Sequence, residues 1–398
     1  MSPKFLLLVA LSATPVLTPE CGGSAPATNV VAAPSQNVQS IVVNPGPANG
    51  YANGAFTSVT ICVPGSLSNC QTIGGVLVDT GSTGLRILSS ALTLPLLQQT
   101  SNGNPVVECN QFLDGFTWGP VQTADVAMAG EKASSVPIQV IGETAFPTIP
   151  DSCTSSGPSE DTLDTLGANG VLGIGLFRQD CGPACMVGGS SNPEFYFTCS
   201  SSGCVSIAES LTQQLQNPVW LFPHDNNGVI VELPAVSATG VAAVSGSLVF
   251  GIGTQADNAL GGATVFTVDG QGAISTVFQG QTFGGSFLDT GSNGIFFLDS
   301  GTTGLPVCPD ANGFYCPATA QSFSATFRGA NGASATVTFG VGNADQLLGN
   351  AFLSVFPTLA GPNPGGFDWG LPFFFGRNVF TAIESQTTPS GFGPYWAY

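Results

Sequence analysis

Short apolar segments separated by glycine-rich turns make up most of the chain. Residues 56–63 largely alternate between apolar and polar side chains, which is the period of a strand with one buried face. Residues 74–79 and 170–175 are instead mostly apolar runs that begin with glycine, as expected for strands buried on both faces. Helical periodicity is scarce, and residues 206–215, with Pro218 beyond their end, form one of few helix candidates. The pattern predicts an all-β, mostly antiparallel protein.

One stretch of the sequence occurs twice. Residues 74–84 and 284–294 each contain a Gly-Gly pair, three mostly apolar residues and then Asp-Thr-Gly-Ser-x-Gly. A single aspartate in a glycine turn is most often a turn former, because its side chain bonds the local backbone. The same strand and turn in both halves instead favours two similar lobes. Asp79 and Asp289 would then contribute one carboxylate each to a shared site.

The composition narrows the class of protein. The chain has 398 residues, of which 43% are hydrophobic, so it is long enough for two domains with cores of their own. Only 6 Lys and Arg stand against 24 Asp and Glu, for a net charge of −18. Such a chain cannot neutralise phosphates, which excludes nucleic acid as a partner and disfavours anionic membrane surfaces. The acidity fits a protein that stays soluble outside the cell or at low pH.

Most of the eleven cysteines fall into local pairs, and His224 is the only histidine that could share a zinc site with them. Disulfides in an oxidising compartment are therefore favoured over an all-cysteine metal site. We expect neither a metal nor a cofactor. Other connectivities stay open, but the short spacings favour Cys62 with Cys70, Cys181 with Cys185, Cys199 with Cys204, and Cys308 with Cys316. Cys109 and Cys153 would then form a fifth pair.

The first residues are typical of export. Lys4 is followed by a short apolar run, so residues 1–20 are predicted to be an export signal rather than a membrane span or a buried first strand. The unpaired Cys21 begins a stretch that resembles the start of a mature bacterial lipoprotein, although Thr18-Pro19-Glu20 departs from the usual lipobox. Lipidation of Cys21 and its absence both stay open. Residues 21–38 are predicted to be a flexible tether, and the protein is expected to be extracytoplasmic, touching a membrane only through that anchor.

The paired motif resembles the pepsin-like aspartic proteases, and in overall character it is similar to exported bacterial proteins of unknown function that carry the same pair. In each pepsin-like lobe, an Asp-Thr-Gly-Ser turn is followed later by two apolar residues and a glycine, whose strand packs under the turn. Here residues 171–173, ending in Gly173, and residues 374–376, ending in Gly376, match that pattern. The resemblance implies a bilobal β fold with a cleft between lobes. We place the N-terminal lobe at 39–260 and the C-terminal lobe at 261–398.

The resemblance also implies roles for the residues of both motifs. Asp79 and Asp289 would be the catalytic pair, one ionised as general base on a water and the other protonated as donor to the substrate carbonyl. Close like charges do not both ionise easily, which keeps one proton on the pair. The turn residues would support the pair. The hydroxyls of Thr80 and Thr290 would cross-link the turns, and Ser82 and Ser292 would bond the outer carboxylate oxygens. Gly81 and Gly291 would allow the backbone to approach closely.

The sequence departs from the family at several positions. The family's Trp shortly after the first motif is absent from the stretch that contains Arg86, and no Tyr occurs in the flap region at 110–128. Phe112, Phe116 or Trp118 could supply an apolar lid instead. A cysteine-rich insertion is expected at residues 178–204. Asp368 has the appearance of an ordinary turn acid.

These features leave three hypotheses. The leading one is an exported, monomeric aspartic endopeptidase that hydrolyses a peptide or protein substrate in the inter-lobe cleft. The alternatives are a catalytically silent envelope protein that binds peptide or glycan in the same cleft, and a structural surface lipoprotein. The intact pair of motifs favours the first, and the missing flap Tyr favours the others. Carboxylates too far apart to share a water would exclude the protease.

Overall fold

The computed structural model describes residues 31–32, 35–201 and 203–398. Strands dominate this part of the chain, and its α-helices are one-turn segments: α1 (Leu163–Leu166), α2 (Ser300–Thr303) and α3 (Ala344–Leu348). No helix in the described ranges is long and apolar enough to cross a bilayer. The predicted all-β class is confirmed.

The strands of the first part of the chain are short and separated by tight turns. In order they are β1 (Val38–Asn44), β2 (Gly54–Cys62), β3 (Cys70–Asp79), β4 (Thr83–Leu88), β5 (Leu97–Gln98), β6 (Thr100–Ser101), β7 (Asn104–Gln111), β8 (Phe116–Met128), β9 (Glu131–Ile141), β10 (Gly170–Ile174), β11 (Tyr196–Ser200), β12 (Gly203–Ser206), β13 (Gly228–Leu233) and β14 (Val244–Phe250).

The strands of the second part of the chain are also short and separated by turns. In order they are β15 (Val265–Thr267), β16 (Ile274–Phe278), β17 (Gln281–Leu288), β18 (Ile295–Leu298), β19 (Gln321–Arg328), β20 (Ser334–Val341), β21 (Ala360–Gly361), β22 (Asn363–Trp369), β23 (Arg377–Ala382), β24 (Thr387–Thr388), β25 (Gly391–Phe392) and β26 (Tyr395–Ala397).

The first repeated motif lies where β3 ends. Strand β10 runs parallel to β3 and antiparallel to β4, so it fills the space between the strand that enters the turn and the strand that leaves it. Val76 and Val78 of β3 pack into the main core, while Leu77 packs into a separate cluster on the other face with Val171 of β10. Burial on both faces explains why these runs are continuously apolar.

The second repeated motif is built in the same way. Strand β22 runs parallel to β17 and antiparallel to β18. Leu288 lies opposite Trp369 of β22, just as Val78 lies opposite Leu172 of β10 in the first lobe. The two halves therefore contain the same three-strand unit around their turns, which confirms the bilobal β fold.

A six-stranded antiparallel sheet joins the lobes, with the strand order β1-β14-β13-β23-β26-β15. Strands from both ends of the chain meet in it, so it provides a common base for both turns. The boundary that we predicted between residues 260 and 261 falls between β14 and β15 and stays a prediction.

The prediction that residues 374–376 form the strand under the second turn is wrong. Leu371–Phe373 form a 3-10 helix, and Gly376 lies just before β23, which pairs with β13 in the joining sheet. The counterpart of Gly173 is Gly370. A Cβ at Gly370 would lie 2.5 Å from the carbonyl oxygen of Ser292, just as a Cβ at Gly173 would meet the backbone of the first turn. Because a charged residue, Asp368, interrupts the apolar pattern before this glycine, the nearby phenylalanine run matched the pattern better.

Two other expectations differ from the structure. Residues 207–215 form irregular backbone and a turn rather than a helix. The side-chain amide of Gln214 donates to the backbone carbonyls of Gly182 and Glu209 there. The predicted tether ends in ordered structure, because Asn37 and Val38 are buried. The predicted export signal and Cys21 lie outside the described residues.

Five disulfides join the predicted cysteine pairs. Two of them staple the predicted insertion at 178–204, whose strand β11 pairs with β7. The disulfide between Cys109 and Cys153 ties β7 to the loop after β9. This content of disulfides is typical of proteins in an oxidising, extracytoplasmic compartment.

A buried ion pair connects the first turn to the β7–β8 hairpin. The guanidinium of Arg86 in β4 lies 2.5 Å from Glu108 of β7 and donates to the carbonyl of Thr83. Both charged side chains are fully buried. Asp180 lies 3.6 Å from Arg86 and accepts from the hydroxyl of Tyr196. Burial and the neighbouring charge of Glu108 raise the pKa of Asp180.

We expect Arg86→Leu to lower the free energy of unfolding by about 3–5 kcal/mol, because it leaves Glu108 buried without its counter-charge. The measurement is urea denaturation followed by tryptophan fluorescence. Arg328→Leu removes an exposed guanidinium and is the matched control, expected to change stability by less than about 0.5 kcal/mol. Equal effects of the two substitutions would contradict this account of the ion pair.

Candidate active site

Asp79 lies at the end of β3, and the turn that follows wraps around its carboxyl group. One carboxyl oxygen, Oδ1, accepts hydrogen bonds from the backbone N–H groups of Gly81 (2.8 Å) and Ser82 (3.1 Å). The Ser82 hydroxyl donates to the other oxygen. Asp79 is only 5% exposed. Three donors therefore stabilise negative charge on this buried carboxyl group.

Asp289 has a similar but smaller set of donors. Its Oδ1 accepts from the N–H of Gly291 at 2.7 Å, and its Oδ2 lies 2.9 Å from the hydroxyl of Ser292. The two carboxyl groups face each other across the lobes. A Cβ at Gly81 would lie 2.6 Å from Asp289 Cγ, and one at Gly291 would lie 2.9 Å from Asp79 Cγ. Glycine is thus required at both positions, because any side chain would separate the pair.

The two threonines cross-link the turns beneath the carboxyl groups. Thr80 Oγ1 accepts from the N–H of Thr290 (3.0 Å) and donates to the carbonyl of Leu288 (3.1 Å). Thr290 Oγ1 accepts from the N–H of Thr80 (3.1 Å) and donates to the carbonyl of Val78 (2.7 Å). Both threonines are buried. Four reciprocal hydrogen bonds therefore fix the position of each turn relative to the other.

The surroundings of Asp289 favour its protonated form. Burial is the largest cause that raises the pKa of Asp289, followed by the negative charges of Asp79 and Asp368 and by a hydrogen bond with the Asp79 carboxyl. The N–H of Gly291 opposes the rise only in part. The pair can therefore hold one shared proton, with Asp289 as the group that carries it.

A third carboxyl group, that of Asp368, lies beside the pair, so the expectation of an ordinary turn acid is wrong. Asp368 is part of β22 and is 1% exposed. Its Oδ2 lies 2.5 Å from the hydroxyl of Ser292. Burial and the charge of Asp79 raise its pKa to about 7, against the opposing effect of the Ser292 hydrogen bond. Its position directly before Trp369-Gly370, the true strand under the second turn, was the signal that the sequence analysis missed.

A loop of the first lobe reaches the second turn. The hydroxyl of Tyr51 lies 3.4 Å from the carbonyl oxygen of Gly291. The amide of the buried Asn53 donates to the carbonyls of Asn293 (2.8 Å) and Phe356 (2.9 Å). Burial is the largest cause that raises the pKa of Tyr51. The negative charges of Asp114 and Glu160, and then those of Asp289 and Asp79, raise it further. The search for a tyrosine at 110–128 missed this residue because it comes from a different part of the chain.

The predicted lid residues separate into two groups. Phe116 and Trp118 are wrong as lid residues, because they are buried with Phe197 in a cluster of their own. Phe112, at the turn between β7 and β8, packs instead against the cluster that contains Leu77 and Val171, against which Tyr51 also packs. The hairpin is pinned near its tip by the amide of Gln111, which donates to backbone carbonyls of the disulfide-bonded loop.

A separate cluster of two cysteines and an aspartate contains residue types that bind metal ions, but its sulfurs are not free to do so. Side-chain atoms of Cys308, Cys316 and Asp345 lie within 4.8 Å of one another. The two sulfurs are joined in a disulfide, so they cannot act as thiolate ligands.

Two similar β lobes with facing Asp-Thr-Gly-Ser turns define the pepsin-like fold. The crystal structure of an aspartic proteinase from Irpex lacteus is similar with a TM-score of 0.53, over 90% of this chain and 96% of that chain, at 13% sequence identity. This likeness concerns the fold alone. Residues 33–398 match the family described as "Protein of unknown function (DUF3443)", and the chain belongs to that family. No curated protein matches the sequence.

We expect Thr290→Val to lower the free energy of unfolding by about 2–5 kcal/mol, because it leaves the N–H of Thr80 and the carbonyl of Val78 buried without partners. Chemical denaturation measures the change. Thr290→Ser keeps the hydroxyl and should recover most of the loss. If both variants were equally destabilised, packing of the methyl group rather than the cross-link would be responsible.

Proposed function

We propose that this protein is an aspartic-type endopeptidase that hydrolyses peptide bonds in the cleft between its lobes. The observation that carries the proposal is the pair of facing carboxyl groups on turns that are cross-linked by Thr80 and Thr290. The unequal donor sets around Asp79 and Asp289 give the two carboxyl groups different roles. A structural pair of turn acids would need neither the close approach nor this asymmetry.

The proposed mechanism begins with Asp79 ionised and Asp289 protonated. Three donors favour the carboxylate of Asp79, while burial and the neighbouring charge keep the proton on Asp289. Asp79 takes a proton from a water molecule as the water oxygen attacks the substrate carbonyl carbon, and Asp289 donates its proton to the carbonyl oxygen. The proton on Asp79 then passes to the leaving nitrogen as the C–N bond breaks, and a hydroxyl of the intermediate returns its proton to Asp289.

The substrate would be an extended peptide or protein segment that lies under the β7–β8 hairpin. Phe112 is a hairpin residue that packs against the same apolar cluster as Tyr51, and Tyr51 places a hydroxyl beside the second turn. The five disulfides fit an extracytoplasmic site of action. Secretion and a monomeric state are part of this proposal, which holds with or without a lipid anchor at Cys21.

Two observations favour the second candidate, a catalytically silent protein that binds peptide or glycan in the same cleft. The hairpin is stapled through Cys109 and Cys153, and the carbonyls of Gly291 and Asn293 are already occupied by Tyr51 and Asn53. A hairpin held by this disulfide would move less than the segments that many hydrolases close over a substrate.

Cleavage of a denatured protein by the full chain, followed across the acidic pH range, tests the proposal. We expect activity that a statine-type inhibitor blocks and that Asp79→Asn and Asp289→Asn each reduce by at least about 1,000-fold, because either change removes the shared acid–base pair. Asp310→Asn, at an exposed position, is the matched control and should retain full activity. A folded, disulfide-bonded protein without cleavage at any pH would favour the silent binding protein instead.

A further inference from the structure

Asp368 has an environment that no structural role explains. It lies in β22, opposite phenylalanines on both neighbouring strands, Phe287 and Phe296. Its Oδ1 is buried without a hydrogen-bond partner, and its Oδ2 contacts only the hydroxyl of Ser292. A carboxylate in such a place would lack the donors that a buried negative charge needs.

The Ser292 hydroxyl lies between the carboxyl groups of Asp289 and Asp368, and its single proton limits how the two can be protonated. Its Oγ lies 2.9 Å from Asp289 Oδ2 and 2.5 Å from Asp368 Oδ2. A hydroxyl has a single proton, so it can donate to only one of these oxygens. The other contact is a hydrogen bond only if that carboxyl carries a proton and donates it to Oγ. At least one of the two carboxyl groups is therefore protonated in this arrangement.

The charged groups around Asp368 are of one sign. The second turn contributes Asp289 and the first turn contributes Asp79, while β18 and β21 contribute no titratable side chain. The phenol of Tyr51 bonds the carbonyl of Gly291 rather than Asp368. None of the ion pairs in the described ranges includes Asp368. Nothing in this environment compensates a negative charge on Asp368.

We propose that Asp368 is a positioning residue that works in its protonated form and sets the alkaline limit of the catalytic pair. Its carboxyl proton is donated to Ser292 Oγ, so the Ser292 hydroxyl is directed onto Asp289 Oδ2. When Asp368 loses this proton, the hydroxyl turns to donate to Asp368 and Asp289 loses a donor. The new negative charge raises the pKa of Asp289 further, so the alkaline limit comes from the lost Ser292 donor rather than from loss of the proton on Asp289. This inference rests on the proposed function of Asp79 and Asp289.

The titration of Asp368 agrees with this geometry. Burial raises its pKa from the ordinary value of 3.8 to about 7, so the folded protein binds a proton there that the unfolded chain releases. Stability from this group is fully present below about pH 4 and is lost as the pH rises through about 7. The raised pKa of Asp289 acts in the same direction, so the contribution of Asp368 must be isolated by substitution.

Asp368→Asn is the decisive variant, because its amide donates to Ser292 Oγ as the protonated carboxyl does but cannot titrate. We expect cleavage at acidic pH within about twofold of wild type, and an alkaline midpoint of kcat/KM about one pH unit higher. Asp368→Leu offers no donor and should lose most activity at every pH. Asp310→Asn is the control for removal of an exposed carboxylate and should leave the profile unchanged.

Thermal unfolding provides a readout that does not need activity. From about pH 4 to about pH 8, the Tm of wild type should fall more steeply than the Tm of Asp368→Asn. Superimposable alkaline limbs together with equal Tm slopes would overturn the proposal. A wild-type protein without any cleavage would instead overturn the proposed function. The Tm comparison alone would then decide whether Asp368 holds its proton, with equal slopes against it.

Discussion

Two carboxyl groups that face each other in a protein interior repel strongly once both ionise, because little water remains to screen them. The rest of this structure depends on holding Asp79 and Asp289 together against that repulsion. The reciprocal hydrogen bonds of Thr80 and Thr290 fix the two turns to each other. In the proposed mechanism a proton shared between the two carboxyl groups removes the remaining cost, so the geometry and the protonation state would support each other.

The strands under the turns, the joining sheet and a buried ion pair all help to hold Asp79 and Asp289 in position. In each lobe a third strand, β10 or β22, pairs with both the strand that enters the turn and the strand that leaves it. The joining sheet then sets the distance between the lobes. The buried Arg86–Glu108 pair extends the rigidity from the first turn to the hairpin.

Much of the fold and the centre of the site could be predicted from the sequence, because repetition and apolar runs are local signals. Asp79 and Asp289 were found through the repeated motif, and four of the five cysteine pairs through short spacings, which left Cys109 and Cys153 as the fifth. Gly370 and Asp368 were missed because a polar residue in a buried strand contradicts the apolar pattern that was searched. Tyr51 was missed for another reason, since only the three-dimensional path of its loop brings it to the second turn.

The most direct test of the central claim is a pH titration of the aspartate carboxyl carbons by ¹³C NMR, with Asp289 assigned by its loss in Asp289→Asn. If the two carboxyl groups share a proton, Asp289 titrates well above its ordinary value of 3.8, and Asp79→Asn shifts that transition downward because the neighbouring charge is gone. An Asp289 that titrates near its ordinary value, and does not respond to Asp79→Asn, would contradict the account.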